Sequence, residues 1–208
     1  MRRLLSLLTT PVFVVVSLVS TPRADSPVDR LQAFYSSFKD LEGTFTQRNR
    51  VKELNKTVSY KGHFYLKQNR LFIDYKGQNP QKVYITGSEI VIYNEGQKTA
   101  YRIPFDERRY GQTPVALLRG FADLKAEFDI KIIDDKRLIL RPLKGEANIE
   151  KIDLSLTEGQ DFPISSFVLT DKLGNTTEIV FGRYKLNQGI SDSLFRFSPP
   201  QGTTVVEQ

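Results

Sequence analysis

The chain has 208 residues, with 14 Phe and 9 Tyr but no Trp and no Cys. This aromatic content excludes a disordered chain, and the lack of cysteine excludes disulfide bonds, thiolate metal sites and cysteine nucleophiles. One histidine, His63, excludes a metal site built from several histidines, and a site built from oxygen ligands stays open at this point. We therefore expect one domain with a well-buried core, and neither a metal ion nor another cofactor.

The first 24 residues have the three-part pattern of a secretory signal. Arg2 and Arg3 precede an apolar run over 4–19, and a small, turn-prone patch follows at 20–24. We expect cleavage within 20–24, which leaves a single secreted domain over 25–208; an uncleaved membrane anchor is the alternative. Arg2, Arg3 and Arg23 leave with this segment and no acidic residue does, so the formal net charge falls from +6 to +3. That charge is too small to indicate a nucleic-acid partner.

An amphipathic helix is predicted over 27–41. Ser26 is placed to cap its N-terminus, and Pro27 suits its first turn. Its apolar residues recur at spacings of three and four, and they are Val28, Leu31, Phe34, Tyr35, Phe38 and Leu41.

After Glu42, apolar residues recur at every second position, which is typical of strands with one solvent-exposed face. Turn signals then divide the chain into about eleven strands. The pattern predicts a mainly β protein, an antiparallel meander curled into a half-barrel or barrel. In the second strand the apolar positions are Val58, Tyr60, Phe64 and Leu66.

A short helix is predicted to interrupt the strands at 113–119, where Thr-Pro begins a small apolar face. Together with the first helix it is expected to cover the concave face of the sheet, an arrangement that suits an apolar ligand. No phosphate loop and no activated nucleophile is recognisable, and His63 lies on the polar side of its strand. The sequence therefore predicts a binding protein that is not an enzyme.

Four stretches resemble the outer-membrane lipoprotein carrier protein family, LolA. They read Leu-Glu-Gly-Thr-Phe-Thr-Gln at 41–47, Leu-Phe-Ile-Asp-Tyr at 71–75 and Thr-Pro-Val-Ala-Leu-Leu at 113–118. The fourth, Phe-Arg-Phe-Ser-Pro-Pro-Gln-Gly-Thr-Thr-Val at 195–205, is similar to the family's ending. The four follow in the family's order across the whole of 25–208.

The resemblance implies an unclosed antiparallel barrel with a helical lid. It also implies a periplasmic protein that takes acylated lipoproteins from an inner-membrane ABC transporter and passes them to an outer-membrane acceptor; we expect a monomer. By position, lipid contacts fall on the first helix, the lid helix and the strand at 71–75. These residues are Leu31, Tyr35, Phe38, Leu117, Leu118, Leu71, Ile73 and Tyr75, and strand parity adds Val58, Tyr60, Phe64 and Leu66.

One turn departs from the family. Where the family has Arg-Pro, with the arginine holding the lid by hydrogen bonds, this chain reads Lys-Gln-Asn-Arg at 67–70. The family's arginine aligns with Lys67 when residues are counted back from the strand that follows the turn. It aligns with Gln68 when they are counted forward from the strand that precedes the turn. We predict that a cation from Lys67 or Arg70 takes its place as the lid latch, although an ammonium does not reproduce a planar guanidinium.

Two other functions remain open at this point. A periplasmic carrier of free lipids would use the same fold without a protein attached to the lipid. A lipoprotein-sensing interaction module would use it for regulation.

Overall fold

The computed structural model describes residues 26–105, 124–143, 148–158 and 161–208. Two helices lie in these ranges, α1 (Pro27–Ser37) and the single turn α2 (Leu124–Glu127), together with a 3₁₀ turn at Asp192–Phe195. The strands are β1 (Asp40–Val51), β2 (Lys56–Lys67), β3 (Arg70–Lys76), β4 (Gln81–Ile85), β5 (Glu89–Asn94), β6 (Thr99–Pro104), β7 (Phe128–Asp134), β8 (Arg137–Pro142), β9 (Ile149–Leu156), β10 (Ile164–Asp171), β11 (Thr176–Leu186) and β12 (Thr204–Glu207).

All twelve strands belong to one sheet in the order β12-β6-β5-β4-β3-β2-β1-β11-β10-β9-β8-β7. Consecutive strands pair antiparallel from β1 to β6 and from β7 to β11, and β1 also pairs antiparallel with β11. Strand β12 runs parallel to its neighbour, β6. Strands β12 and β7 form the two ends of this order, so the sheet is unclosed.

Helix α1 begins as predicted but ends earlier. The Ser26 hydroxyl accepts a hydrogen bond from the Asp29 backbone N–H at 3.1 Å, and proline occupies the first turn. The predicted end at residue 41 is wrong, because Phe38 is extended and Leu41 belongs to β1. At the end of the helix, the hydroxyl of Ser37 donates to the carbonyl of Phe34, and serines that bond back to the backbone favour a helix end.

The inner face of the sheet carries the main core. Buried side chains from nearly every strand point to this face, and helix α1 lies on it through Val28, Leu31 and Phe34. Because successive strand residues alternate between faces, one apolar surface continues from strand to strand. Among the described residues, the main core therefore lies between α1 and the inner face of the sheet.

The outer face of β3 to β6 is covered by the C-terminal segment, residues 187–203. Its Ile190 and Phe195 pack on Phe72, and Phe197 packs on Tyr84 and Tyr93. Strand β12 then extends the sheet beside β6. This half of the wall consequently has apolar packing on both faces.

Asp40 joins the start of β1 to the C-terminal segment. Its side chain is 2 % exposed, and its carboxylate accepts the backbone N–H groups of Gln188, Gly189 and Ile190 at 2.7, 3.0 and 3.2 Å. A buried carboxylate is stable when such donors surround it. This contact also requires residue 40 to leave the helix and enter the sheet.

Replacing Asp40 with Ala is expected to lower the free energy of unfolding by about 2–4 kcal/mol, because the buried N–H group of Ile190 and the partly buried N–H groups of Gln188 and Gly189 lose their acceptor. Urea unfolding measures this loss. Limited proteolysis is expected to cut within 187–203 in the variant before it cuts the sheet. Asp29→Ala, which removes an exposed carboxylate from the first turn of α1, is the control and is expected to lower the free energy of unfolding much less. Equal losses in the two variants would contradict this role of Asp40.

Candidate functional site

The interior beneath α1 brings together the helix residues that the sequence singled out. Leu31 is fully buried, and Tyr35 and Phe38 pack against the same core. The rings of Phe34 and Phe38 stack at 5.0 Å, and Tyr35 meets Phe34 edge to face at 5.3 Å. Burial raises the pKa of Tyr35, so its phenol is neutral at physiological pH. The helix therefore presents an uncharged aromatic surface to the sheet.

The hairpin of β2 and β3 forms the wall opposite this helix. Phe64 pairs with Ile73, and Leu66 pairs with Leu71, in the β2–β3 register. All four side chains are buried in the main core with α1. The structure thus places these residues on the inner face, as the strand alternation requires.

Farther along the same hairpin, the inner face becomes more polar. Tyr60 is 38 % exposed, with its ring centroid 6.0 Å from that of Tyr75, and Val58 is half-buried on the same side of β2. The Tyr75 hydroxyl donates to Oε1 of Gln47 at 3.0 Å, and burial raises the pKa of Tyr75 to about 12. This end of the interior combines aromatic surface with hydrogen-bonding groups.

Phe162 is an interior residue that the sequence did not reveal. It stands in the connection between β9 and β10, yet it is only 1 % exposed. Its ring centroid lies 5.5 Å from that of Phe34 on α1, 5.3 Å from Phe181 and 5.5 Å from Tyr184. Phe162 therefore fills the space between helix and sheet without belonging to either. In the sequence, the only sign of this burial is an isolated aromatic residue in a segment that is predicted to be a turn.

The predicted latch residues lie on the other face. The Lys67 ammonium donates to the carbonyl of Ile190 at 2.6 Å and pairs with Asp192 at 2.8 Å. The Arg70 guanidinium binds the same Asp192 carboxylate at 3.1 Å and lies over the Phe195 ring at 5.4 Å. Gln68 is exposed in the two-residue turn between these cations, with a φ of +53°. Both cations thus hold the C-terminal segment.

The lid itself, with Leu117 and Leu118, lies outside the described residues. The latch between the lid and Lys67, Gln68 or Arg70 therefore stays a prediction. In the described ranges the helix that covers the interior is α1.

The ion pairs of Asp192 with Lys67 and Arg70, which hold the C-terminal segment, are sensitive to acid. Hydrogen bonds from Lys67 and Arg70 lower the pKa of this carboxyl from 3.8 to about 2. A group whose pKa is lowered by folding stabilises the fold above its unfolded pKa, and this contribution is lost as the pH falls from about 4 to 2.

We expect Asp192→Asn to lower the thermal midpoint at pH 6 and to lower it much less at pH 2, where the Asp192 carboxyl is largely protonated in the unfolded chain and partly protonated in the folded one. Thermal unfolding at both values measures the difference. The control, Glu178→Gln, removes a half-buried carboxylate that lies 3.5 Å from the exposed Arg48 and is expected to change little at either pH. A deficit of the Asp192 variant that is as large at pH 2 as at pH 6 would contradict a stabilising role of these ion pairs.

In the part of the chain that the structure describes, no helix is long and apolar enough to cross a membrane. Among residues 26–105, 124–143, 148–158 and 161–208, no three His, Cys, Asp or Glu side chains are grouped to hold a metal ion. His63 is exposed on the outer face of β2, as its strand position predicted.

The fold and the site together define an unclosed half-barrel with a covered apolar interior. A family model described as outer membrane lipoprotein carrier protein LolA matches residues 36–198, and the chain belongs to this family. The prediction of the family and of a mainly β, unclosed fold is confirmed.

Curated relatives carry the same description over nearly their whole length. The outer-membrane lipoprotein carrier protein of Pseudoalteromonas translucida is 25 % identical, and the match covers 97 % of each chain. That of Cupriavidus pinatubonensis is 28 % identical over 86 % of this chain and 87 % of its own.

Among solved structures, a LolA superfamily protein from Nitrosomonas europaea aligns with a TM-score of 0.50 and 13 % identity, covering 84 % of this chain and 99 % of its own. An uncharacterized conserved protein from Thermus thermophilus aligns with a TM-score of 0.55 and 13 % identity, covering 88 % and 97 %. At these identities the two structures support the fold alone.

Proposed function

We propose that this protein is a periplasmic carrier that encloses the acyl chains of lipoproteins in the interior beneath α1. It receives them from an inner-membrane ABC transporter and delivers them to an outer-membrane acceptor. The single observation that carries this proposal is the continuous apolar inner face between α1 and the β2–β3 hairpin. Family membership supports lipoproteins as the cargo. The signal-like segment at 1–24 supports the periplasm as the location.

The interior has suitable chemistry for acyl chains. We assign the lipid contacts to α1 and to the inner face of β2 and β3, with the lid helix as a further contributor. The assigned residues are Leu31, Tyr35, Phe38, Val58, Tyr60, Phe64, Leu66, Leu71, Ile73, Tyr75, Leu117 and Leu118. Neutral tyrosines add a large apolar surface without introducing charge. Such a surface binds hydrocarbon and needs no catalytic group, in keeping with a carrier.

Because a carrier has to release its cargo, its affinity for that cargo has an upper limit. Each buried methylene of an acyl chain contributes about 0.8 kcal/mol, so the full sum for three chains would prevent delivery. In the structure α1 is packed on the sheet, with Leu31 fully buried. Cargo must displace some of these contacts between α1 and the sheet when it binds. Because the contacts form again when the cargo leaves, their loss offsets part of the free energy of binding. Binding is therefore expected to be weaker than the buried area suggests.

A binding experiment with three ligands tests the proposal. The ligands are a triacylated lipopeptide, a diacyl phospholipid below its critical micelle concentration, and the same peptide without acyl chains. We expect one lipopeptide per protein, at least tenfold weaker binding of the phospholipid, and no binding of the bare peptide. Equal binding of both lipids would favour a carrier of free lipids, and failure to bind either lipid would contradict the proposal.

A further inference from the structure

A groove of about 750 Å³ crosses the outer face of the sheet at β1, β2 and β11. The side chains that point outward along its lining are polar or charged, and they are Glu42, Thr44, His63, Tyr65, Arg183 and Lys185. The groove and the interior beneath α1 thus lie on opposite faces of the sheet, so both can be occupied at once.

An irregularity in the pairing of β1 with β11 shapes this groove. The register shifts between Gly43 and Phe45, and two residues of β11, Gly182 and Arg183, lie opposite Thr44. A β-carbon at position 182 would press on the Thr44 hydroxyl, so the glycine leaves this space open. A bulge bends its strand, and Arg183 lies beside the opening.

Basic side chains outnumber acidic ones on the outer face of these three strands. Alternation places five basic and two acidic residues there, and they are Arg48, Arg50, Lys61, Arg183, Lys185, Glu42 and Glu178. Both carboxylates already form ion pairs, at 3.5 and 3.2 Å. Arg50, Lys61 and Arg183 make no ion pair within the described residues. This face therefore has cations available for carboxylates from outside.

Hydrogen-bonding groups in the groove are also available. Within the described part of the chain, the His63 imidazole and the hydroxyls of Thr44 and Tyr65 make no hydrogen bond. Burial, together with the carboxylates of Glu42 and Asp74, raises the pKa of Tyr65, so its hydroxyl remains a donor. These neutral groups suit a polypeptide, whose backbone offers a carbonyl acceptor at every residue.

The neighbouring part of the outer face already binds a segment in this manner. The C-terminal segment lies there, and Lys67 and Arg70 hold its Asp192 carboxylate at 2.8 and 3.1 Å. Tyr65 of the groove stacks on Phe72 at 5.6 Å, beneath the same segment. The groove thus continues a surface on which cations of the sheet hold an acidic side chain.

We propose that this groove binds an acidic segment of a partner protein. One carboxylate of the segment meets Arg183 on β11, and another meets Lys61 on β2. Two strand spacings and one step along β2 separate these positions by about 12 Å, close to the span of four extended residues. This inference goes beyond the proposed function and does not depend on it.

A labelled peptide tests the site. The probe is a fluorescein-labelled peptide of about eight residues in which Glu and Ser alternate, and anisotropy measures its binding to the mature protein at about 50 mM salt. We expect saturable binding that is at least about tenfold weaker at 0.5 M salt, because salt screens exposed charges.

Charge reversals locate the binding. Arg183→Glu and Lys61→Glu are each expected to raise the dissociation constant about tenfold, since an attractive contact becomes repulsive. Lys131→Glu is the matched control, because Lys131 is exposed on the same side of β7 but lies outside the groove, and we expect less than about a twofold change. A peptide of alternating Lys and Ser is expected to bind Arg183→Glu more tightly than the parent protein. Unchanged thermal midpoints would verify that the variants fold.

Amide resonances supply a second readout of the same site. On addition of the acidic peptide we expect shifts at 42–44, 63–65 and 182–185 and none along β7. Such shifts, together with selective weakening by the two groove substitutions, support the proposal. Failure to bind the peptide, equal weakening by Lys131→Glu, or shifts outside the groove would overturn it. Binding to phosphatidylglycerol vesicles that Arg183→Glu weakens and the acidic peptide does not compete with would also overturn it, and would assign this face to a membrane surface.

Discussion

Phe162→Ala is expected to lower the free energy of unfolding by about 3–5 kcal/mol while tightening the binding of an acyl chain. The ring contacts Phe34 on α1 and Phe181 and Tyr184 on β11, so its removal leaves an apolar void between helix and sheet. Such voids stay dry and bind apolar guests. Urea unfolding measures the loss of stability, and titration with a fluorescent fatty acid measures the gain in affinity.

Phe195→Ala provides the matched control for this variant. Phe195 is also a phenylalanine that is 1 % exposed, but it packs on the outer face with Phe72 and Ile190. We expect a similar loss of stability and no gain in affinity for the fatty acid. If both variants bind the probe equally tightly, the interior beneath α1 is not the binding site.

Leu31→Glu is expected to release α1 from the sheet. Leu31 is fully buried in the main core, and an unpaired carboxylate there costs several kcal/mol, about 3–5 by comparison with broken buried ion pairs. Because the sheet keeps its own hydrogen bonds, we expect the helix to detach before the strands separate. The exposed inner face should then bind an apolar dye several times more strongly than the parent protein does.

Ala33→Glu is the control on the same helix. Ala33 is exposed, so the same charge there is expected to leave both stability and dye binding almost unchanged. Near-ultraviolet circular dichroism separates a detached helix from global unfolding, since an unfolded variant loses its aromatic signal entirely. A Leu31→Glu protein that stays folded and binds no extra dye would contradict the role of α1 as a cover.

Local patterns in the sequence predicted the parts of this fold that depend on interactions between residues close together in the chain. The cap at Ser26 depends on residues 26–29, and the inner positions of β2 and β3 follow from alternation alone. The turn at 68–69 is short enough to fix the pairing of the two strands. For these reasons the sequence was sufficient to assign Phe64, Leu66, Leu71 and Ile73 to one face.

Long-range contacts decided what the sequence did not reveal. Asp40, at the start of β1, finds its partners at 188–190, and Lys67 and Arg70 find their acceptor in Asp192. Neither contact leaves a local pattern. The same holds for β12, a four-residue strand that is defined by its parallel neighbour β6. Phe162 likewise owes its burial to α1 and β11.

The central claim, that the interior beneath α1 carries lipoproteins away from the inner membrane, has one direct test. Inner-membrane vesicles that contain the releasing transporter and a labelled triacylated lipoprotein are incubated with ATP and the purified mature protein, then sedimented. Our account predicts that the lipoprotein appears in the supernatant as a one-to-one complex with this protein, and that Ala33→Glu releases it as well as the parent does. A lipoprotein that stays with the sedimented vesicles, while the transporter hydrolyses ATP and a known carrier of this family releases the same cargo, would contradict it.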